Sequence, residues 1–330
     1  MEQYNRNFLS ECRIIYIGDK QRGRIEKKVG LTLKISILNR IKELYENENQ
    51  NIIEYLSMSD EGGNSIEDIL ISYDFQAGIY TKHHKTYPHL RESISNEIEQ
   101  YVNQLEQIQS ILEVGVGEAT SLALLVERLI NKPSSLAGVD LSWSRIKYAK
   151  LFLEEQDIQN VHVATGDMFE LPITENSVDM LFTFQAIEPN GGRESEALKK
   201  LYRVARKYLV LVEPCYELAT AEDQDRLENN GYIKKLYEHA VNLGYNIKLH
   251  RAMEKNLNTL NPTSILIIEK DARFPCEDTF YWSCPITKTP LEKVNESYFS
   301  NESLLAYPII QEIPCLLSSN AVVTTKMREF

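Results

Sequence analysis

The chain has 330 residues and a net charge of −12, with 43% hydrophobic and 25% charged residues. That is the profile of a soluble globular protein with room for one large domain and one or two small ones. No apolar run approaches the roughly 20 residues that cross a bilayer, and the polar start Met1–Ser10 lacks the core of a secretion signal, so a cytoplasmic protein is expected. The acidic balance argues against a nucleic-acid partner, whose phosphates call for a basic face. Five scattered cysteines with no CxxC pair argue for free thiols rather than a disulfide framework.

Residues 1–70 read as an accessory region: a short strand at Arg13–Ile17, a helical pattern over Ser36–Leu56 and a loop at Ser59–Ser65. A substrate lid and a homodimer arm fit this region equally. Ile66–Tyr101 reads as mostly helical, broken near Pro88. From Ser110 the pattern changes to strands alternating with helices. The expected strands are Ile111–Val114, Ser135–Val139, Val161–Ala164, Val178–Phe184, Tyr208–Val212, Asn246–Arg251 and Ser264–Glu269. Helices are expected at Ser121–Ile130, Trp143–Glu155, Glu194–Val204 and Ile233–Leu243. This predicts an α/β domain over 71–270: a seven-stranded doubly wound sheet, largely parallel, with a closing antiparallel pair at one edge. Residues 271–330 lose the alternation and read as a small separate α+β module.

Four segments carry chemistry. Ile111-Leu-Glu-Val-Gly-Val-Gly-Glu-Ala119 runs from a strand through a glycine turn into a helix. Gly115 and Gly117 permit a tight turn and close approach of a ligand to the backbone; a purely structural turn is the other reading. Asp140 ends the second strand, where an acid can accept hydrogen bonds from both hydroxyls of a ribose. Asp167 and Met168 follow the third strand, placed to meet an adenine edge and face. Gln185 ends the fourth strand, at the sheet edge where open α/β sheets bind ligands.

In this order and spacing the four segments resemble the class I S-adenosylmethionine-dependent methyltransferases, particularly those acting on small molecules. The resemblance covers about residues 73–270. It implies S-adenosylmethionine as cofactor, with Glu113, Gly115 and Gly117 facing its methionine part. Asp140 would hold the ribose, with Leu141 beside the adenine, and Asp167 and Met168 would meet the adenine edge. Gln185 would border the methyl group, and Tyr80, in Tyr73-Asp-Phe-Gln-Ala-Gly-Ile-Tyr80, would close over the cofactor. The third glycine of the motif is replaced by Ala119. The Asn-Pro-Pro-aromatic pattern of exocyclic-amine methylation is absent, because Asn190 follows Pro189. His84 and Glu188 are the candidates for a base; a surface loop and a structural acid are their plainer readings.

Cys284-Pro-Ile-Thr-Lys-Thr-Pro-Leu291 and Leu305-Ala-Tyr-Pro-Ile-Ile-Gln-Glu-Ile-Pro-Cys-Leu-Leu317 resemble the small zinc-ribbon-like methyltransferase activators. Thr287 and Ser300 stand where that family has cysteines, so no zinc is expected. The function expected is methyl transfer, most simply to an oxygen of a small metabolite or saccharide. The alternatives are methylation of RNA or a translation protein, suggested by the activator-like tail, and a cofactor-binding module without turnover.

Overall fold

The computed structural model describes residues 38–48, 65–106, 108–229, 231–255, 262–270 and 280–329. The chain divides into two compact units, Met1–Ile52 and Ile53–Phe330. In the first, helix α1 spans Leu38–Glu48, within the expected helical stretch. The expected strand at Arg13–Ile17 lies outside the described residues.

The second unit opens with three helices, α2 (Ile66–Phe75), α3 (Ile79–Thr86) and α4 (Pro88–Val102). Ser65 caps α2 through a reciprocal box with Asp68, satisfying donors at both positions. Pro88 separates α3 from α4 and sits in the first turn of α4, where its missing N–H costs nothing.

The sheet comprises β1 (Ser110–Val114), β2 (Ser135–Asp140), β3 (Val161–Thr165), β4 (Val178–Phe184), β5 (Ala205–Pro214), β6 (Asn246–Ala252) and β7 (Thr263–Glu269). Its order is β3-β2-β1-β4-β5-β7-β6. The first five strands are parallel, and β7 runs antiparallel between β5 and β6. This is the seven-stranded, doubly wound arrangement the alternation predicts, with the antiparallel pair at one edge. The chain turns back between β1 and β4, so a crevice opens there at the carboxyl ends of the strands.

Alternate residues of each strand feed two cores. One face packs Ile111, Val163 and Phe182 against α4, α5 (Thr120–Arg128) and α6 (Trp143–Glu155). The other packs Leu112, Val139 and Leu181 against α7 (Glu194–Val204) and α9 (Leu236–Asn242). Between them lies α8 (Ala221–Asn229), a helix that the sequence pattern does not predict. Its sequence AEDQDRLEN carries a single large apolar residue, Leu227, so no periodicity marks it.

The β3-to-β4 crossover, residues 166–177, contains no helix, although parallel connections usually cover the sheet with one. The C-terminal stretch supplies that cover. Its strands β8 (Glu292–Val294), β9 (Ser297–Ser300), β10 (Leu305–Ile310), β11 (Ile313–Pro314) and β12 (Val322–Val323) form a small antiparallel sheet. Trp282, Cys284, Leu291, Tyr307 and Leu316 join the core of the second face beside Leu171 and Ile173. Cys315 bridges Thr165 in parallel register, and Leu316 N donates to Thr165 O at 3.1 Å. The edge strand β3 is thereby partly shielded from pairing with another chain.

Inside this small sheet Cys284 Sγ lies 3.4 Å from Tyr307 Oη and 3.6 Å from Ser303 Oγ. Thr287 and Thr289 hydroxyls pair at 2.8 Å. One thiol among neutral hydroxyls does not suit zinc, whose structural sites use Cys and His. Cys276 lies outside the described residues.

Candidate active site

β1 delivers the chain into Gly115 with φ +72°, and the amides of Gly115 and Val116 both donate to Val139 O, at 2.8 and 2.9 Å. A Cβ on Gly115 would lie 2.2 Å from the Cβ of Ala186, so the loops after β1 and β4 touch at this glycine. Gly115→Ala is expected to cost roughly 2–5 kcal/mol, combining overpacking with left-handed strain, and to weaken binding of S-adenosylhomocysteine. Thermal unfolding and calorimetry check it; a melting point within 2 °C of wild type, on the order of experimental scatter, would contradict the clash. Ala119, in place of the third glycine, adopts φ +58° and is fully buried. The substitution is thus accommodated by strain of about 1–2 kcal/mol rather than by moving the helix away.

Asp140 stands at the tip of β2. Its Oδ2 accepts from Gly117 N at 3.0 Å and its Oδ1 from Ser142 N at 2.9 Å. Burial raises its pKa, while nearby Arg145 and these two amides pull it back. Each oxygen retains a lone pair directed at further donors. Ser142, not Asp140, caps α6, accepting from Arg145 N at 3.0 Å. After β3, Asp167 Oδ1 accepts from Phe169 N at 2.9 Å, and burial raises its pKa as well. After β4, Gln185 adopts φ +51° and donates its amide to Val212 O at 2.8 Å.

These residues share one open-mouthed cleft. Tyr80, Glu113, Gly115, Gly117, Asp140, Leu141, Asp167, Met168 and Gln185 all line it. Helices α2 and α3 form its roof. Glu118 pins the roof by accepting from Gly78 N, Tyr80 N and Thr81 N at 2.9, 3.2 and 2.7 Å. Asp74 fastens it to α6, accepting from Ser142 Oγ, Ser144 N and Ser144 Oγ at 2.6, 3.1 and 2.9 Å. The Arg145 guanidinium lies 4.6 Å from the ring centres of both Tyr73 and Tyr80, and its Nε donates to Tyr73 O.

The two proposed bases are not in this lining. His84 lies one helical turn beyond Tyr80 on the same side of α3, and there it meets α6 instead of the cleft. Its ring packs edge-on against Phe152, with Nδ1 buried and unpartnered. Burial, then Arg91, lowers its pKa. His84 thus packs against α6. Glu188 is 8% exposed, its backbone N–H donates to Glu213 Oε2 at 3.2 Å, and its charge acts on the cleft residue Tyr73.

Glu213 is the acid that shapes this corner. From the end of β5 its carboxylate accepts from Ala186 N, Ile187 N and Glu188 N at 3.0, 3.2 and 3.2 Å, fixing the loop that follows Gln185. Burial raises its pKa to about 7 against these hydrogen bonds. A carboxyl with a raised folded-state pKa binds its proton more tightly when folded. Its contribution to stability is therefore greatest at acidic pH and falls as pH rises from about 4.5 to about 7. The expected loss is on the order of 3 kcal/mol, and Glu213→Gln removes this slope. Urea midpoints for both proteins between pH 5 and 8 check it; parallel pH profiles would refute the assignment.

Arg91, Arg145, Tyr73 and Glu118 line the cleft without standing out in the sequence as site residues. Both arginines sit in helices with ordinary charged neighbours, and nothing local separates a buried helical arginine from a solvated one.

Residues 105–270 match a family model described as a methyltransferase domain. The chain belongs to this family. It is a methyltransferase with the class I Rossmann-like fold, and its cofactor is S-adenosylmethionine. No curated protein matches it. Among solved structures, a SAM-dependent methyltransferase from Aquifex aeolicus is similar at 17% identity, over 57% of this chain and 97% of the other, with a TM-score of 0.41. A chain from the Haloferax volcanii complex of a methyltransferase activator with a candidate methyltransferase is 13% identical, over 60% and 96% of the two chains, with a TM-score of 0.48. Geranyl diphosphate C-methyltransferase from Streptomyces coelicolor is 12% identical, over 54% and 78%, with a TM-score of 0.42. Among the described residues of the methyltransferase no helix is long and apolar enough to cross a membrane, and no group of side chains suits a metal ion.

Proposed function

We propose that this methyltransferase acts on a small-molecule acceptor inside the cleft under α2 and α3. The carrying observation is that Asp140, Asp167, Met168, Gly115 and Gln185 line one roofed cleft. That arrangement suits a single extended nucleoside. Asp140 takes the ribose hydroxyls, Asp167 and Met168 take the adenine, and Gly115 with Gln185 border the sulfur end. When bound, the cofactor supplies an electrophilic methyl group on a sulfonium. The chain's own task is to align an acceptor atom with it and exclude water.

The lining contains four carboxylates, Glu113, Glu118, Asp140 and Asp167, against two guanidiniums, Arg91 and Arg145. That balance disfavours a polyanionic RNA. Among the described residues the lining holds no imidazole, and backbone amides engage three of its four acids, Glu118 by three, Asp140 by two and Asp167 by one. An acceptor oxygen far more acidic than an alkyl hydroxyl, such as a carboxylate, already ionised at neutral pH, or a phenol, therefore fits better than the hydroxyl of a saccharide. Incubation with labelled S-adenosylmethionine and panels of phenols, carboxylates, sugars, tRNA and ribosomal fractions tests this. Label transferred only to macromolecules would overturn it.

Residues 271–330, on this reading, are an activator-like module carried in the same chain, adapted to packing rather than zinc binding. A tethered module stays at high effective concentration at its docking edge.

A further inference from the structure

Helix α3 has no cap of its own. Its N-cap position is Gly78, which carries no side chain, and its 8 residues are too few for a helix to hold its shape unaided. The donors of its first turn are met from a distant part of the chain. Glu118 accepts from Gly78 N and Tyr80 N on Oε1, at 2.9 and 3.2 Å, and from Thr81 N on Oε2, at 2.7 Å. It is 1% exposed, and an acid is favoured at that end of the helix dipole. Glu118 itself lies in the glycine turn. On one side is Gly117, whose N–H is held by Asp140, and on the other is Ala119, with φ +58°. One short loop therefore both lines the cleft and caps its roof. The cleft residue that this cap fixes is Tyr80, in the first turn of α3. Its ring centre is 4.6 Å from Arg145 Cζ and 5.2 Å from Arg91 Cζ.

We propose that Glu118 is a positioning residue: by capping α3 it holds Tyr80 over the bound cofactor and so controls cofactor exchange. This rests on S-adenosylmethionine occupying the cleft between the glycine turn and the roof. The ligand is enclosed only while α3 is docked, and α3 docks through a side chain of the same loop that lines the cleft. A ligand that stiffens the glycine turn therefore stiffens the roof, and an α3 that undocks takes Tyr80 with it. Removing Glu118 leaves three amides of the first turn without their acceptor, which favours undocking. Asp74 does not duplicate this role. Its carboxylate is taken up by Ser142 and Ser144 of α6, so it anchors α2 rather than α3.

Surface plasmon resonance on the full-length protein with S-adenosylhomocysteine tests this through dissociation rates. Glu118→Ala should speed dissociation about tenfold or more, as loss of charge-assisted hydrogen bonds requires, and Tyr80→Ala should speed it by a similar factor. The double variant should dissociate within about twofold of Tyr80→Ala, because Glu118 acts through that ring. If the two single factors multiply in the double variant, Glu118 acts on the ligand through the glycine turn instead, and the proposal is overturned. An unchanged rate in Glu118→Ala also overturns it and leaves Glu118 as a structural cap. If wild type does not bind S-adenosylhomocysteine, the cofactor assignment itself falls, and the positioning role with it. Should Glu118→Ala not fold, hydrogen exchange on wild type decides. S-adenosylhomocysteine should slow exchange of the amides in residues 78–86 about tenfold or more, and equal exchange with and without it overturns the proposal.

Discussion

Asp140→Ala should raise the dissociation constant for S-adenosylhomocysteine on the order of a thousandfold. Two hydrogen bonds from ribose hydroxyls to an ionised carboxylate are each worth about 1.5–3 kcal/mol, and every 1.4 kcal/mol is roughly a factor of ten. The substitution also frees Gly117 N and Ser142 N, which the carboxylate holds at 3.0 and 2.9 Å. The glycine turn therefore loses its tie to β2 as well as the ligand contact. The fold should survive, because α6 keeps its cap through Ser142 Oγ. Calorimetry together with a thermal melt separates the two effects. Less than a tenfold loss of affinity in a folded variant would remove Asp140 from the ribose role. Asp140→Asn should fall between, since an amide keeps one acceptor oxygen and places a donor against one of the two amides.

Ending the chain at residue 275 should leave an insoluble or non-cooperative protein. The β3-to-β4 crossover brings no helix, so Leu171, Ile173 and Ala164 are covered by Trp282, Tyr307 and Leu316 from the C-terminal stretch. Removing one such buried large side chain costs about 2–5 kcal/mol, and removing several exceeds the roughly 5–15 kcal/mol that holds a typical domain together. The truncation also uncovers the β3 edge at Thr165, an invitation to aggregation. The finer version is Tyr307→Ala. This side chain is fully buried, and its loss should cost about 3–5 kcal/mol by denaturant unfolding. A soluble, cooperatively folding chain without residues 276–330 would show that the stretch is an independent appendage.

Both predictions bear on what could be read from the residues in order. The strand–helix alternation after Ser110 and the glycine turn at Gly115 are local patterns. Backbone sterics and the period of the apolar residues act within a few positions, so the sheet and its cofactor edge follow from the sequence. Asp140 ends β2, Asp167 and Gln185 lie just past β3 and β4, and the strand order carries all three to one crevice. Their company was legible for that reason.

Other features depended on which element packs against which. Arg91 and Arg145 are buried because α4 and α6 turn those positions to the cleft, and neither helix's own sequence says so. His84 has the chemistry of a base, but one turn of helix moved it from the cleft to Phe152. Glu213 became a loop anchor because β4 and β5 end side by side. The tail is the clearest case. Its sequence suggested an activator-like module, and only the packing showed which surface Tyr307 and Leu316 cover: the face of the sheet where the crossover brings no helix. The sequence by itself determined the sheet, its order of motifs and the cofactor edge. Only the tertiary structure decided which charges are buried, what roofs the cleft and what completes the second core, because burial and unpaired charge arise between elements distant in the chain.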